Sequence, residues 1–393
     1  MSSELPVVAD FTDRALKLET PEAVEALFKG IDLARVEKLV MTGNVVGIGG
    51  GEGLGNVIRK MPNLRIAKLD SIFITKTIDE IPPAMTFICS ALAECKNLKD
   101  VNISSNAFGV RSVDPIVPLL KISSTFETLN LMNLGLNSEG GRRIAQLILE
   151  SVKDSKVPPS IRTLICSRNR LEDPSAAAWG ALLGALPLLE RFEIENNGFF
   201  EDGILAIATG LQSCPALKHL YIRDAVVAKY DYDENPDAIS ERGWKALADV
   251  VRGAKNLETL SLPDTSYRTD GCAELVAALG EGTYPHLETL NLFGNEFDDS
   301  HYEALKDAVE TNLPALKLLD LALNDDLEDN ETLTALGALL KARGGTLNLV
   351  DPDDIDSDEE QEVEEEKPSP APAPPAADEV DELAEAMAKK LSV

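Results

Sequence analysis

An eleven-residue pattern recurs ten times along this chain and leaves few folds open to it. It runs apolar-x-x-apolar-x-apolar-x-x-(often Asn)-x-apolar. The clearest copies are LKDVNISSNAF from Leu98, IRTLICSRNRL from Ile161, LERFEIENNGF from Leu189 and LETLNLFGNEF from Leu287. Weaker copies start at Val36, Leu64, Phe126, Leu217, Leu257 and Leu316. The shortest gaps between starts are 28 to 30 residues, and the longer ones are 34, 35 and 40. This is the period of a leucine-rich repeat, whose units bury their apolar faces only by stacking on one another. The expected fold is α/β: a leucine-rich repeat solenoid with parallel strands on its concave face and helices on its convex face. Function is then expected on a broad surface rather than in a pocket.

Within a unit, the two apolar residues separated by one, such as Leu129 and Leu131, form a short strand and point inward. The residues between and after them face outward. A convex helix follows. In GGRRIAQLILESV, residues Ile144, Leu147, Ile148 and Val152 share one helical stripe. Asn106, Asn169, Asn197, Asn295 and Asn324 hold the ladder position, where a side-chain amide can bond backbone groups that a turning chain leaves unpaired. Leu134, Ala225 and Thr265 interrupt that ladder. The residue just before it reads Ser71, Ser105, Asn133, Arg168, Asn196, Asp224 and Asp264 in successive copies. With the neighbouring outward positions Asp70, Glu193, Glu195 and Arg223, this column forms a polar rim where the strands end, a candidate binding strip.

Four segments are expected. Residues 1–35 read as an N-terminal cap, with a helix start at Thr20-Pro21-Glu22; 36–350 are the repeat domain; 351–377 are an acidic run and a Pro/Ala-rich linker; 378–393 are a short C-terminal helix. The acidic run DPDDIDSDEEQEVEEE should not fold by itself. Three connections are long: ITKTIDEIPPAM, SVKDSKVPPS and AKYDYDENPDAISERG. The net charge is −30, and thirteen of those charges lie beyond residue 350. A repeat domain that is itself acidic disfavours nucleic acid as a partner; the charge either suits a basic protein surface or serves solubility. The five cysteines, Cys89, Cys95, Cys166, Cys214 and Cys272, have no CxxC spacing, which points to a reducing compartment. The N-terminal stretch has no apolar signal core, and no stretch approaches a membrane span, so cytosol or nucleus is the expected address.

Chemistry-bearing motifs are sparse. GIGGGEGLGN at 47–56 fits neither GxGxxG nor GxxxxGK[ST], and its glycines are expected to serve the turn into the first helix. His219, His286 and His301 are scattered and lack metal-ligand spacing, so no metal site is expected.

Several segments together resemble the Ran GTPase-activating protein family. VMTGNVVG resembles its first repeat, SIFITKTIDEIPPA its long loop, NISSNAFG its third repeat, and LICSRNRLED its C-x-R-N-R-L-E segment. The acidic run before a short terminal helix is also similar. The resemblance implies a right-handed crescent of roughly eleven strand–helix units that accelerates GTP hydrolysis by the small GTPase Ran in nucleocytoplasmic transport. It implies no cofactor of the chain's own, because GTP and Mg²⁺ belong to the GTPase, and no intrinsic enzyme activity. The implied partner is a Ran-like GTPase in its GTP form, in a complex that could also include a Ran-binding protein, without nucleic acid or membrane. The implied place is the cytoplasm, including the perinuclear zone. Activators commonly insert an arginine at the phosphates; this family's resemblance implies instead that the GTPase's own catalytic glutamine is held in place.

Carried onto this chain, the resemblance makes Asn133 the glutamine-orienting residue and Lys76 its assistant in the loop. Asp224 matches an acidic rim residue that touches the GTPase, and Arg168 and Arg170 match the basic pair, with Arg170 equally readable as a structural ion-pair partner. Asp70, Ser105, Asn196 and Asp264 complete the docking strip. Lys76 stands where the family carries arginine, which keeps the charge and loses the planar fork. The insertion after Asp224 is a second departure. The competing expectation is a repeat scaffold or inhibitor that binds proteins without activating them.

Overall fold

A computed structural model describes residues 7–351, apart from 107–108, 156–158, 228, 232–234, 241 and 266–271. At 112, 123, 229–231 and 235–240 it describes the backbone alone. The chain separates into two units after Asp351. The acidic run, linker and terminal helix expected beyond that point lie outside the described residues.

Every expected strand forms, each only three to five residues long, and they pair in sequence order within one sheet. All pairings in this sheet are parallel, and the central residues stay in register from unit to unit: Leu39, Ala67, Val101, Leu129, Leu164, Phe192, Leu220, Leu260, Leu290, Leu319 and Leu347. Unbroken register follows from the period-two pattern, because a slip of one residue would turn the buried row to water. Each of the ten strands of the repeat pattern is followed by a helix, and successive helices pack against one another. In Asn137–Asp154 the stripe behaves as its spacing requires, with Ile144, Ile148 and Val152 buried and Leu147 packed at the edge of the core.

Among the described residues the sheet has twelve strands, two more than the repeat pattern supplies. Val7–Asp10 lies beside Val36–Val40, so the N-terminal segment extends the sheet as well as covering its end. Its helix, Pro21–Leu27, starts as expected: the Thr20 hydroxyl accepts from Ala23 N at 3.3 Å, with proline at the first helical position. Thr346–Asn348 is the twelfth strand. Its unit carries Gly344 where the pattern starts and Pro352 at the ladder position, which hides it from a search for the full repeat.

The glycine run has a packing role. It lies mainly in the helix Ile48–Ile58, wedged between the cap and the helix Ile81–Leu92. A Cβ on Gly50 would sit 1.9 Å from the Leu18 carbonyl oxygen, and one on Gly51 2.7 Å from Ala84 Cα. Two of the long connections also acquire structure. The helix Ile81–Leu92 takes Pro82 and Pro83 into its first turn, leaving 74–80 as the true loop. The insertion after Asp224 contains an antiparallel pair, Lys229–Asp231 with Asn235–Ser240.

Candidate functional site

The candidate strip is first of all a backbone requirement. Ser71, Ser105, Asn133, Arg168, Asn196, Asp224 and Asp264 all have φ between +50° and +59°, as does Leu323 at the same position of a later unit. Gly43 and Gly294 fill the same place in their units at φ +74° and +64°. This left-handed residue turns the chain so that the next side chain points back into the core. Asparagine and aspartate tolerate the region; arginine and leucine do so at a cost of about 1 kcal/mol or more. The polar character of the column therefore reflects the turn as well as any partner.

The ladder asparagines complete that turn. The Asn169 amide oxygen accepts from Leu134 N at 2.8 Å, and its nitrogen donates to the carbonyls of Leu131 at 2.8 Å and Cys166 at 3.0 Å. Asn106, Asn197, Asn295 and Asn324 similarly tie their own turn to the preceding unit. Asn44 does the same, donating to Phe11 and Met41 and accepting from Leu16 N at 3.0 Å. The strand-end residues Asn102, Asn130 and Asn291 add a second series, each accepting from the amide two residues on at 3.0 Å.

The candidate docking residues divide into engaged and free members. Asp70 is half-buried, and its Oδ1 accepts from Thr42 Oγ1 and Asn102 Nδ2, both at 3.0 Å. Asp264 accepts from Arg223 Nε at 3.1 Å. Ser105 and Asn196 are half-buried. Asn133, Arg168, Arg170 and Asp224 are exposed. Among the described residues none of these four makes a side-chain hydrogen bond or ion pair, although Arg168 lies close enough to Glu195 to influence its charge. They remain available to a partner.

Lys76 is not. Its side chain is 10% exposed, and its Nζ lies 2.7 Å from Glu19 Oε1 and 3.5 Å from Glu80 Oε1. The Glu19 bond is the main cause of a raised ammonium pKa. Glu80 in turn accepts from Thr77 N at 2.9 Å and Thr77 Oγ1 at 2.8 Å, and these bonds hold its carboxyl below the ordinary range. The expected catalytic assistant thus faces inward. Two residues to either side, Ile74 and Ile78 face out, at 66% and 42% exposure. The loop reaches the strip: a Cβ on Gly109 would lie 3.6 Å from Ile78 Cδ1, and Gly109 N donates to the carbonyl of Leu134, the residue after Asn133.

Further along, Arg191 pairs with Glu193 and lies over the Tyr221 ring at 4.6 Å. Burial and Glu193 push the neighbouring Glu195 carboxyl up, against the pull of Arg223, Arg168 and Arg191. The sequence reading missed the exposed apolar residues of this edge: Ile74, Ile78, Val110 and Phe200. No period marks them, because they lie in connections. Among the described residues no group of three or more His, Cys, Asp or Glu side chains could hold a metal ion, and no helix is long and apolar enough to cross a membrane. All five cysteines are buried.

No profile of a known protein family matches the chain. Individual relatives do. Ran GTPase-activating protein 1 of Saccharomyces cerevisiae is 27% identical over 340 residues, 84% of this chain and 81% of that one. Ran GTPase-activating protein 2 of Caenorhabditis elegans is 34% identical over 201 residues, 49% of this chain and 21% of that one. The Ran GTPase-activating protein of Drosophila melanogaster is 26% identical over 337 residues, 79% of this chain and 56% of that one. The chain therefore spans most of the yeast relative, about half of the fly one and a fifth of the worm one.

Proposed function

Because the chain is a relative of the Ran GTPase-activating proteins, we propose that it accelerates GTP hydrolysis by a Ran-like small GTPase, with the chemistry in the partner's site. GTP and Mg²⁺ would be held by that partner. The observation that carries the reading is Asn133, an exposed amide that makes no side-chain hydrogen bond among the described residues, on a backbone that its neighbours fix. Asn133 N donates to the Ser167 carbonyl at 2.9 Å, and Leu134 N to Asn169 Oδ1 at 2.8 Å. An amide carried on a fixed backbone has only its own side-chain rotamers to order when it orients a glutamine or an attacking water, which is how positioning lowers a barrier. Around it, Ile74, Ile78 and Val110 offer apolar contact, while Arg168, Arg170 and Asp224 offer charge. A role in nucleocytoplasmic transport, at a cytoplasmic or perinuclear location and with a Ran-binding protein in the complex, follows from the same proposal.

The direct test follows phosphate release from GTP-loaded Ran with catalytic amounts of this chain. The expected result is many turnovers per molecule. Stoichiometric binding without acceleration would leave the scaffold reading.

Lys76 is committed to two carboxylates, which supports a mechanism without an inserted cation from the loop. Arg168 and Arg170 are exposed and need their own test. An arginine finger contributes about 10³- to 10⁵-fold, whereas a docking arginine contributes about tenfold. Single alanine substitutions at Arg168 and Arg170 are expected to cost about tenfold or less in kcat/KM. A thousandfold loss in kcat at either position would replace the fingerless mechanism. Arg168→Asn separates the turn from the contact: it should stabilise the fold by about 0.5 to 1 kcal/mol, since asparagine tolerates the left-handed region, and weaken GTPase binding. Denaturant midpoints and titration with GTP-loaded Ran read the two effects apart.

A further inference from the structure

The loop that flanks Asn133 is tied to the N-terminal cap by a contact between residues 57 positions apart, Glu19 and Lys76. Glu19 immediately precedes the helix Pro21–Leu27 and its capping Thr20. Its carboxylate lies over the backbone of Gly47, where a Cβ would come within 2.1 Å of Glu19 Oε2. Gly47 has φ −84° and ψ −176°, extended backbone that any residue adopts, so its glycine leaves room for that carboxylate rather than serving a turn. Lys76 then joins the Glu19 carboxylate to Glu80, and Glu80 closes the turn onto Thr77.

We infer that Glu19 is a positioning residue: by anchoring Lys76 it holds the 74–80 loop open, with Ile74 and Ile78 presented to the GTPase. The physical reason lies in what the loop would do without the anchor. Two exposed isoleucines gain by burying themselves, and any collapsed conformer takes the docking edge out of the competent population. An ion pair of this exposure is weak, but a shift of a few-fold in that population is within its reach. Binding is reduced by the fraction of competent molecules, whereas the rate in the assembled complex, set at Asn133, is not. One of the two readouts below rests on the proposed GTPase activation; the other does not.

The test uses the full chain in two variants that break the anchor differently. Glu19→Gln removes the charge. Gly47→Ala keeps every charge and displaces the carboxylate. Amide hydrogen exchange in residues 74–80 is expected to speed up about fivefold in both, the size of effect an ion pair with one exposed partner can carry. In steady-state hydrolysis with GTP-loaded Ran, KM should rise about fivefold in both, with kcat changed less than about twofold. Unchanged loop exchange in both variants overturns the inference. So does a fall in kcat at constant KM, which would place the effect in the chemistry. If the wild-type chain does not accelerate hydrolysis at all, the proposed function falls, and the exchange measurement alone decides whether Glu19 anchors the loop.

Discussion

Asn133→Ala is expected to slow single-turnover GTP hydrolysis on the activated GTPase about a hundredfold, equivalent to about 3 kcal/mol of transition-state stabilisation. Binding of the GTP-loaded partner should weaken far less, because an orienting contact strengthens mainly in the transition state. The residue's geometry complicates the choice of variant. Asn133 sits at φ +54°, so alanine there also brings backbone strain of about 1 kcal/mol. Asn133→Gly removes the amide and the strain together. Asn133→Asp keeps the shape and the tolerance for left-handed backbone and replaces the donor with an anion. All three variants should lose rate to a similar degree, while only alanine should lower the denaturation midpoint. Equal losses in binding and rate across the set would reduce Asn133 to a docking contact. Full activity in the glycine variant would remove it from the mechanism.

The largest effect on stability is expected at Asn169. Its side chain is wholly buried, and its amide serves Leu134 N, the Leu131 carbonyl and the Cys166 carbonyl. Asn169→Ala strands Leu134 N and the Leu131 carbonyl where water does not reach, while the Cys166 carbonyl keeps its bond from Asn197 Nδ2 at 3.1 Å. At about 1 to 3 kcal/mol for each of these two buried unpaired groups, with partial relaxation, the loss should come to about 2 to 5 kcal/mol. Asn169→Asp retains the acceptor and loses the donors, so it should recover little. Urea denaturation of the full chain measures the difference. A shift below about 1 kcal/mol would mean that backbone rearrangement or water replaces the ladder at low cost. Since units in a solenoid are coupled to their neighbours, a central defect can also split the transition into two steps.

Much of the fold was legible because every unit repeats the same local solution. Leu129, Leu164 and Leu220 occupy one pattern position and one central place in the sheet, so ten imperfect copies reinforce one another. The end strands were harder to see. Val7–Asp10 lies outside the full pattern, and Thr346–Asn348 belongs to a unit without its ladder residue. They form because an existing strand edge offers unpaired amides and carbonyls, a cause that acts between segments rather than within one. The glycine-rich run reads as a strand-to-helix turn in the sequence, but in the fold it lies mainly in the helix and its purpose is close approach to Leu18 and Ala84.

The candidate site was legible only in part. Naming the column before the ladder identified the edge on which Asn133, Arg168 and Asp224 stand, but it could not separate free side chains from engaged ones. Asp70 and Asp264 look as available as Asp224 in the sequence; Thr42, Asn102 and Arg223 occupy them in the fold. Lys76 is the sharpest case. As a letter in the loop it reads as an assistant to Asn133, yet Glu19 and Glu80 hold it inward.

By itself, the sequence determined the repeat, its register, its buried row and the amide ladder, because these depend on spacing within a unit and on the identical unit beside it. The tertiary structure decided which polar groups remain free, which way the loop residues face, and what the cap holds in place. Those outcomes depend on pairs such as Glu19 and Lys76, distant in sequence and brought to 2.7 Å only when the cap and the second unit pack together. No periodicity records such a pair, since it occurs once.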